Sequence, residues 1–283
     1  MKWLYEHFPA EGYNKDEKPY ISYGYLANKI LFTGESEYQK IDIIENQLYG
    51  KTLFLDNLMM TNEKDEFIYH ELLVHVPAAK ISNPKRALII GGGDGGIARE
   101  LCKYDSIKEI IVAEIDKLVI DASRKYLPTI ASSFDNPKVK IEVTDGAKFI
   151  QQQKDESFDL ILIDSTEPIG PGKTLYQDNF YNNCYKKLKK EGQLAAQGLA
   201  PLIHVEDQKN MSKSLKRIFP WVKPYIGTIP TYPTSLWLFF HASKKDQDIK
   251  DFKNSIPKDL KYINQEMIEA CYSLPEFIKK QLA

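Results

Sequence analysis

Five carboxylates stand at, or just beyond, the ends of short apolar runs: Asp94, Glu114, Asp145, Asp164 and Glu167. Asp94 lies inside Gly91-Gly92-Gly93-Asp94-Gly95-Gly96, directly after Leu88-Ile89-Ile90. Gly91, Gly93 and Gly96 satisfy GxGxxG between a strand and a helix. Glycines there let the backbone turn sharply and approach a ligand closely. Five glycines in six residues weaken a helix start, so a tight turn with no ligand is the weaker reading. Glu114 ends Ile110-Ile111-Val112-Ala113, where a carboxylate can accept both hydroxyl protons of a ribose. The bland alternative is an ordinary strand-end acid. Asp145-Gly146 ends the next apolar run, and an acid there can meet an adenine amino group. A dinucleotide and a sulfonium nucleoside both fit these signals. Asp94 separates them, because a carboxylate set against pyrophosphate is unfavourable by several kcal/mol. A cationic ligand fits better.

Asp164 directly follows Leu160-Ile161-Leu162-Ile163, and Glu167 comes three residues later. The carboxyl end of a parallel strand is where open α/β sheets bind ligands. Pro168, Gly170 and Pro171 make the next segment a loop, read as a lid over the site. Two loop acids are ordinarily solvated or cap a helix, but Asp164 starts from a buried edge. A rim with so many acids attracts cations and repels anions. Metal is one alternative; no histidine partners these acids at ligand spacing, and an organic polycation fits better.

The elements that must carry these residues are legible in outline. Runs at 22–26, 29–33, 39–44, 51–55 and 59–61 are rich in aromatic and branched residues. Turn signals at Gly34-Glu35-Ser36, Glu45-Asn46-Gln47 and Asp56-Asn57 separate them. They predict an antiparallel layer. From Lys64 to Val76 apolar residues recur at helical spacing. Beyond that, short apolar strands (86–90, 110–113, 139–143, 160–163) alternate with helical segments (97–103, 117–126, 147–152). This alternation predicts a parallel sheet covered on both faces. Segments 222–229 and 236–241 flank Pro230-Thr231-Tyr232-Pro233 and read as a closing strand pair. Residues 244–258 read as a charged, solvated stretch before a last helix at 275–282.

Composition removes several classes. The 283 residues carry 38 Lys and Arg against 39 Asp and Glu, a formal net charge of −1. That balance argues against a generally basic nucleic-acid binder. A hydrophobic share of 43% argues against disorder. No apolar run approaches the roughly 18–20 residues of a membrane span, and the first residues lack the apolar stretch of a signal peptide. Cys102, Cys184 and Cys271 are odd in number and widely spaced. They read as small buried hydrophobes rather than a disulfide framework or a CxxC pair. The expectation is a soluble, reduced, cytoplasmic protein.

Taken together, the motifs resemble those of the polyamine aminopropyltransferase family, the spermidine synthases. The matching stretches are Asp65-Glu66-Phe67-Ile68-Tyr69-His70-Glu71, the loop from Gly91 to Gly96, Asp164 to Pro171 and Ile229-Pro230-Thr231-Tyr232-Pro233. Tyr38-Gln39 and Leu274-Pro275 also fall in place, and the resemblance runs from about Trp3 to the C-terminus. It implies an N-terminal antiparallel β domain over 1–63. A Rossmann-like α/β domain of class I methyltransferase type would follow over 64–283, with the site between them. It implies transfer of the aminopropyl group of decarboxylated S-adenosylmethionine to putrescine, without a metal or further cofactor, by a homodimer or homotetramer. On that resemblance Gln39, Gly91, Glu114, Asp145, Gly146 and Pro171 would hold the nucleoside. Asp94 would take the amino end of the aminopropyl arm, with His70 beside the polyamine. Tyr69, Asp164, Glu167 and Tyr232 would form the diamine channel, with Asp164 as proton acceptor.

The chemistry agrees with these roles. A primary amine resembles lysine, with a pKa of about 10.4, so producing its free base at pH 7 costs roughly 4–5 kcal/mol. A carboxylate in hydrogen-bond reach can accept the proton as attack occurs. The sulfonium is already a good leaving group, and alignment is the remaining work. Some residues depart from the family's usual pattern: Glu167 for Asp, Met60 for Gln, Ile263 and Ile268 for an aromatic and a His, and Ser235 for Gly. The choice among putrescine, cadaverine, agmatine and spermidine therefore stays open. The rivals are a methyltransferase, a non-catalytic polyamine binder and, disfavoured by Asp94, an NAD enzyme.

Overall fold

The computed structural model describes residues 2–8, 21–166, 168 and 170–283. The chain opens with β1 (Lys2–Phe8) and β2 (Ile21–Ala27), an antiparallel pair. A second sheet follows as a meander of β3 (Lys29–Glu35), β4 (Lys40–Asn46), β5 (Gly50–Leu55) and β6 (Leu58–Asn62). β4 is buried on both faces. Ile41 and Ile43 pack with Leu53, Val119 and Ala122, while Ile44 packs with Leu4, Tyr25 and Phe54. The period-2 alternation of a strand sends these neighbours in opposite directions.

The α/β layer contains α1 (Glu66–Ala78), β7 (Arg86–Gly91), α2 (Gly96–Cys102), β8 (Glu109–Glu114), α3 (Lys117–Tyr126), β9 (Val139–Val143), α4 (Gly146–Gln152) and β10 (Phe158–Asp164). It continues through α5 (Asp178–Lys187), β11 (Leu188–Gln197), α6 (Val205–Ile218), β12 (Trp221–Thr228), β13 (Leu236–Ser243), α7 (Gln265–Cys271) and α8 (Glu276–Leu282). The strands form one seven-stranded sheet in the order β12-β13-β11-β10-β7-β8-β9. β7 to β11 run parallel, whereas β13 and β12 are antiparallel. Leu160 and Leu162 enter the core on one face, Ile161 and Ile163 the core on the other. Burial on both faces explains why these strands are continuously apolar. The order reverses between β7 and β10, and their register sets Asp164 beside Gly91. A crevice opens at such a switch point, at the carboxyl ends of the strands.

Several elements exceed the sequence reading. β1 was hidden because its inward positions are Leu4, Glu6 and Phe8, so an acid interrupts the apolar alternation. β11 carries Lys189-Lys190-Glu191 just after its first residue, α5 and α6 are largely polar, and α7 is only seven residues long. Residues 244–258 correct an expectation: they are not simply solvated. The buried Lys80 ammonium donates to the carbonyls of Asp248, Ile249 and Asp251, and Phe252 and Ile256 pack on the core. The apolar stem and cationic tip of Lys80 allow it to hold this strap from beneath. Cys184 and Cys271 are buried as expected, and Cys102 is half-buried.

Candidate active site

The glycine loop is dictated by close approach. A Cβ on Gly91 would sit 1.9 Å from the Asp164 carbonyl oxygen, and one on Gly96 would sit 2.2 Å from the His70 ring. Gly91, Gly92 and Gly95 have φ of +86°, +76° and +88°, conformations that side chains rarely adopt. The Gly92 N–H donates to the Asp164 carbonyl at 3.2 Å. Glycine thus brings three strand ends together, and with them Asp94, Glu114 and Asp164.

These acids line one cleft with Gln39, Tyr69, His70, Gly91, Asp145, Gly146 and Tyr232. The sequence-predicted set is therefore assembled, apart from Glu167, which lies outside the described residues, and Pro171, whose side chain does too. One polar atom each of His70, Asp94 and Asp164 lies within 4.8 Å of the others. Asp164 accepts from the Tyr69 hydroxyl at 2.6 Å. Tyr232 donates to the Met60 carbonyl at 2.7 Å, and its ring sits 5.8 Å from that of Tyr69 and 4.6 Å from that of Trp237. Leu53, Leu55, Leu58, Met59 and Val119 supply apolar wall.

Burial governs the acids. It raises Asp164 to about 6, with the Asp94 charge adding to it, while His70 and the Tyr69 hydrogen bond oppose. Glu114 is raised to about 7, again chiefly by burial; the Asp116 and Asp164 charges reinforce it, and the N–H groups of Asp116 and Gly93 oppose it. Asp94 goes the other way. Burial would raise it, but the His70 charge and the Gly96 N–H, at 2.8 Å, hold it below the usual range. Such divergence among neighbouring acids marks functional sites.

Two predicted contacts carry local duties as well. Asp145 caps α4, accepting from Ala147 N–H at 2.8 Å and Lys148 N–H at 3.2 Å through Oδ1. The Gln39 amide donates to Asp116 Oδ2 at 3.0 Å, as does Ser36 at 2.7 Å. Asp116 was missed, although an acid opening a predicted helix is an N-cap signal; it does cap α3 at Leu118. Glu6 was also missed. It lines the cleft from β1, buried, and accepts from Tyr25 and from Met59 N–H. No sequence signal joins it to residues fifty positions away. Gln197 enters from β11 and ties down Ser165 O and Tyr176 at the base of the loop beyond Asp164.

A mixed sheet with helices on both faces, a glycine loop after its first strand and acids at the next strand ends define a Rossmann-like transferase of the methyltransferase type. Comparison with known proteins gives the particular family. The profile of the "Spermine/spermidine synthase domain" matches residues 66–254, and that of the "Spermidine synthase tetramerisation domain" matches residues 12–63. The chain belongs to the spermine/spermidine synthase family and is an aminopropyltransferase. The polyamine aminopropyltransferase of Alkaliphilus metalliredigens (strain QYMF) is 43% identical over 276 residues, covering 95% of this chain and 97% of that one. The one from Thermotoga neapolitana is 44% identical over 260 residues, 90% of this chain and 88% of the other. A crystal structure of spermidine synthase in complex with the transition state analogue AdoDATO superposes with a TM-score of 0.93 at 40% identity, covering 99% of this chain and 94% of that one. The spermidine synthase from Thermotoga maritima gives 0.91 at 38% identity, covering 100% and 94%.

Proposed function

We propose that this enzyme transfers the aminopropyl group of decarboxylated S-adenosylmethionine to putrescine, giving spermidine and 5'-methylthioadenosine. One observation carries the reading: Asp164 stands half-buried between Tyr69 and Asp94, at the end of a cleft whose other acids reach along the strand ends. Glu114 takes the ribose, and Asp145, Gly146, Gln39, Gly91 and Pro171 surround the nucleoside. Asp94, backed by His70, takes the ammonium of the aminopropyl arm. Tyr69 and Tyr232 flank the diamine, whose far ammonium needs an anion of its own, a role assigned to Glu167 from the sequence.

In the reaction, the diamine's near ammonium gives one proton to Asp164. The freed lone pair attacks the carbon next to the sulfonium. The carbon–sulfur bond breaks with its electrons going to sulfur, which becomes a neutral thioether. The product nitrogen keeps a positive charge, and the proton on Asp164 leaves to solvent between turnovers. An ionised Asp164 is the required starting state, and positioning supplies most of the remaining rate.

The N-terminal 1–63 and the α/β region 64–283 act as two units, and the chain works as a homo-oligomer. The tetramerisation profile over 12–63 and the exposed Trp3, Tyr5, Ile21 and Ile30 support this, since exposed strands and aromatics call for a cover. Among the described residues no helix is long and apolar enough to cross a membrane; a cytoplasmic location fits the free cysteines.

The test is incubation with decarboxylated S-adenosylmethionine and a panel of amines, with products identified by mass. Spermidine and methylthioadenosine in equal amounts are expected. Asp164→Asn should lower turnover at least about 100-fold while nucleoside binding changes little. A methylated product, polyamine binding without thioether release, or full turnover by Asp164→Asn would overturn the proposal.

A further inference from the structure

Asp94 does not stand alone behind the cleft. Its Oδ2 faces His70 Nε2 at 3.3 Å, and its Oδ1 accepts from Gly96. The other ring nitrogen, Nδ1, meets Glu66 Oε2 in a very short contact. An ionised carboxylate has no proton to offer, so a ring set between two of them carries a proton on each nitrogen. Glu66 is in turn gripped at both oxygens by Arg99, at 2.9 Å to Oε1 and 2.8 Å to Oε2. Arg99 is itself fixed by Glu100 at 3.0 Å. Gly96 leaves room for nothing but the ring against it.

We propose that Glu66 and Arg99, neither of which lines the cleft, are positioning residues: they keep His70 cationic, and through it hold Asp94 in place for the donor's ammonium. The inference rests on the proposed function only for what Asp94 binds.

The charges add up. Glu66 and Asp94 are matched by Arg99 and His70, which leaves Asp164 free to be the site's working anion. The groups that face His70 are Glu66 and Tyr69 on its own helix, Asp94 in the loop, Arg99 on α2 behind Glu66, and Asp164 at the end of β10. The comparison with the other buried histidines is direct. Burial pushes His204 down to about 4 and His241 down to about 3, and lowers His75 even beside Glu100. Burial opposes the charge on His70 as well, but Asp94 and Glu66 together outweigh it and raise the ring to about 10. Remove Glu66, and Nδ1 loses its carboxylate partner against the same burial, with Asp94 on Nε2 and Asp164 nearby left to hold the charge.

The test uses the full chain. Ring NMR of the histidines, with His70 assigned from the spectrum of His70→Gln, should show the wild-type His70 doubly protonated up to pH 9. In Glu66→Gln its titration should move to lower pH, into the measured range. The kcat/KM for the donor should be flat from pH 7.5 to 9 in the wild type. In Glu66→Gln it should fall about tenfold over one to two pH units above the new pKa. Glu66→Asp should restore the flat profile. A residue needed only for packing would lower activity at every pH and leave the profile's shape alone. A wild-type His70 that is neutral at pH 8 overturns the proposal with no variant needed. So does a Glu66→Gln profile of wild-type shape. If the wild type makes no aminopropylated product, the proposed function fails, while the NMR titration still decides whether Glu66 holds the charge on His70.

Discussion

Replacing Asp94 by Asn should weaken the enzyme's discrimination against ordinary S-adenosylmethionine, which carries a carboxylate that the decarboxylated donor lacks. The magnitude follows from the geometry. A donor carboxylate about 4 Å from Asp94, at an effective dielectric of about 20, is repelled by about 4.2 kcal/mol. His70 sits 3.3 Å behind Asp94, about 7 Å from the same carboxylate, and returns about 2.4 kcal/mol of attraction. The net penalty is about 1.8 kcal/mol, or about 20-fold in relative affinity. If His70 loses its charge together with Asp94, the ratio of the two dissociation constants narrows by about 20-fold. If His70 stays charged, it narrows further. Calorimetric titration of both nucleosides at pH 7.5 into wild type and Asp94→Asn measures the ratio. A ratio that stays within threefold of wild type would refute the charge argument, and recognition of the donor would then have to be steric.

Three further outcomes follow from the same site and its surroundings. The kcat/KM should rise with pH through about 6, because Asp164 must shed its proton to act as base; a limb at the ordinary carboxylate value would remove burial as the controlling influence. The folded-state values of Asp164 and Glu114, about 6 and about 7, lie above those of an unfolded chain. Their contribution to stability is therefore complete below the ordinary carboxylate range and is lost as pH rises through 6 and 7. A cationic donor or diamine offsets the repulsion, so its thermal shift should be larger at pH 8 than at pH 5; equal shifts in scanning fluorimetry would count against an anionic site. Ser235 has φ +58°, in the left-handed region, so Ser235→Gly should stabilise by about 1 kcal/mol. A lowered melting temperature would show that the contact of its hydroxyl with the Pro230 carbonyl, at 3.5 Å, matters more.

By itself, the sequence determined which chemistry was available and roughly where. Continuous apolar runs placed β7 to β10, helical spacing placed α1, and the alternation of strand with helix placed α2 to α4, because strands buried on both faces must be apolar throughout. The glycine run and the acids at strand ends were local signals, and they named Asp94, Glu114, Asp145 and Asp164 before any geometry was known. Elements whose outer faces are charged, α5 and α6, or whose inward face holds a carboxylate, β1, carried no such signal. What only the tertiary structure decided is which side chains meet. Glu6 crosses from β1 to Met59, Arg99 reaches Glu66 from another helix, and Asp116 turns from a cap into the partner of Gln39. These encounters depend on packing between residues distant in the chain. Burial with Asp94 and Glu66 sets the charge of His70, and burial with Asp94, His70 and Tyr69 sets the proton affinity of Asp164; desolvation and opposing charge act through space and leave no periodicity to read.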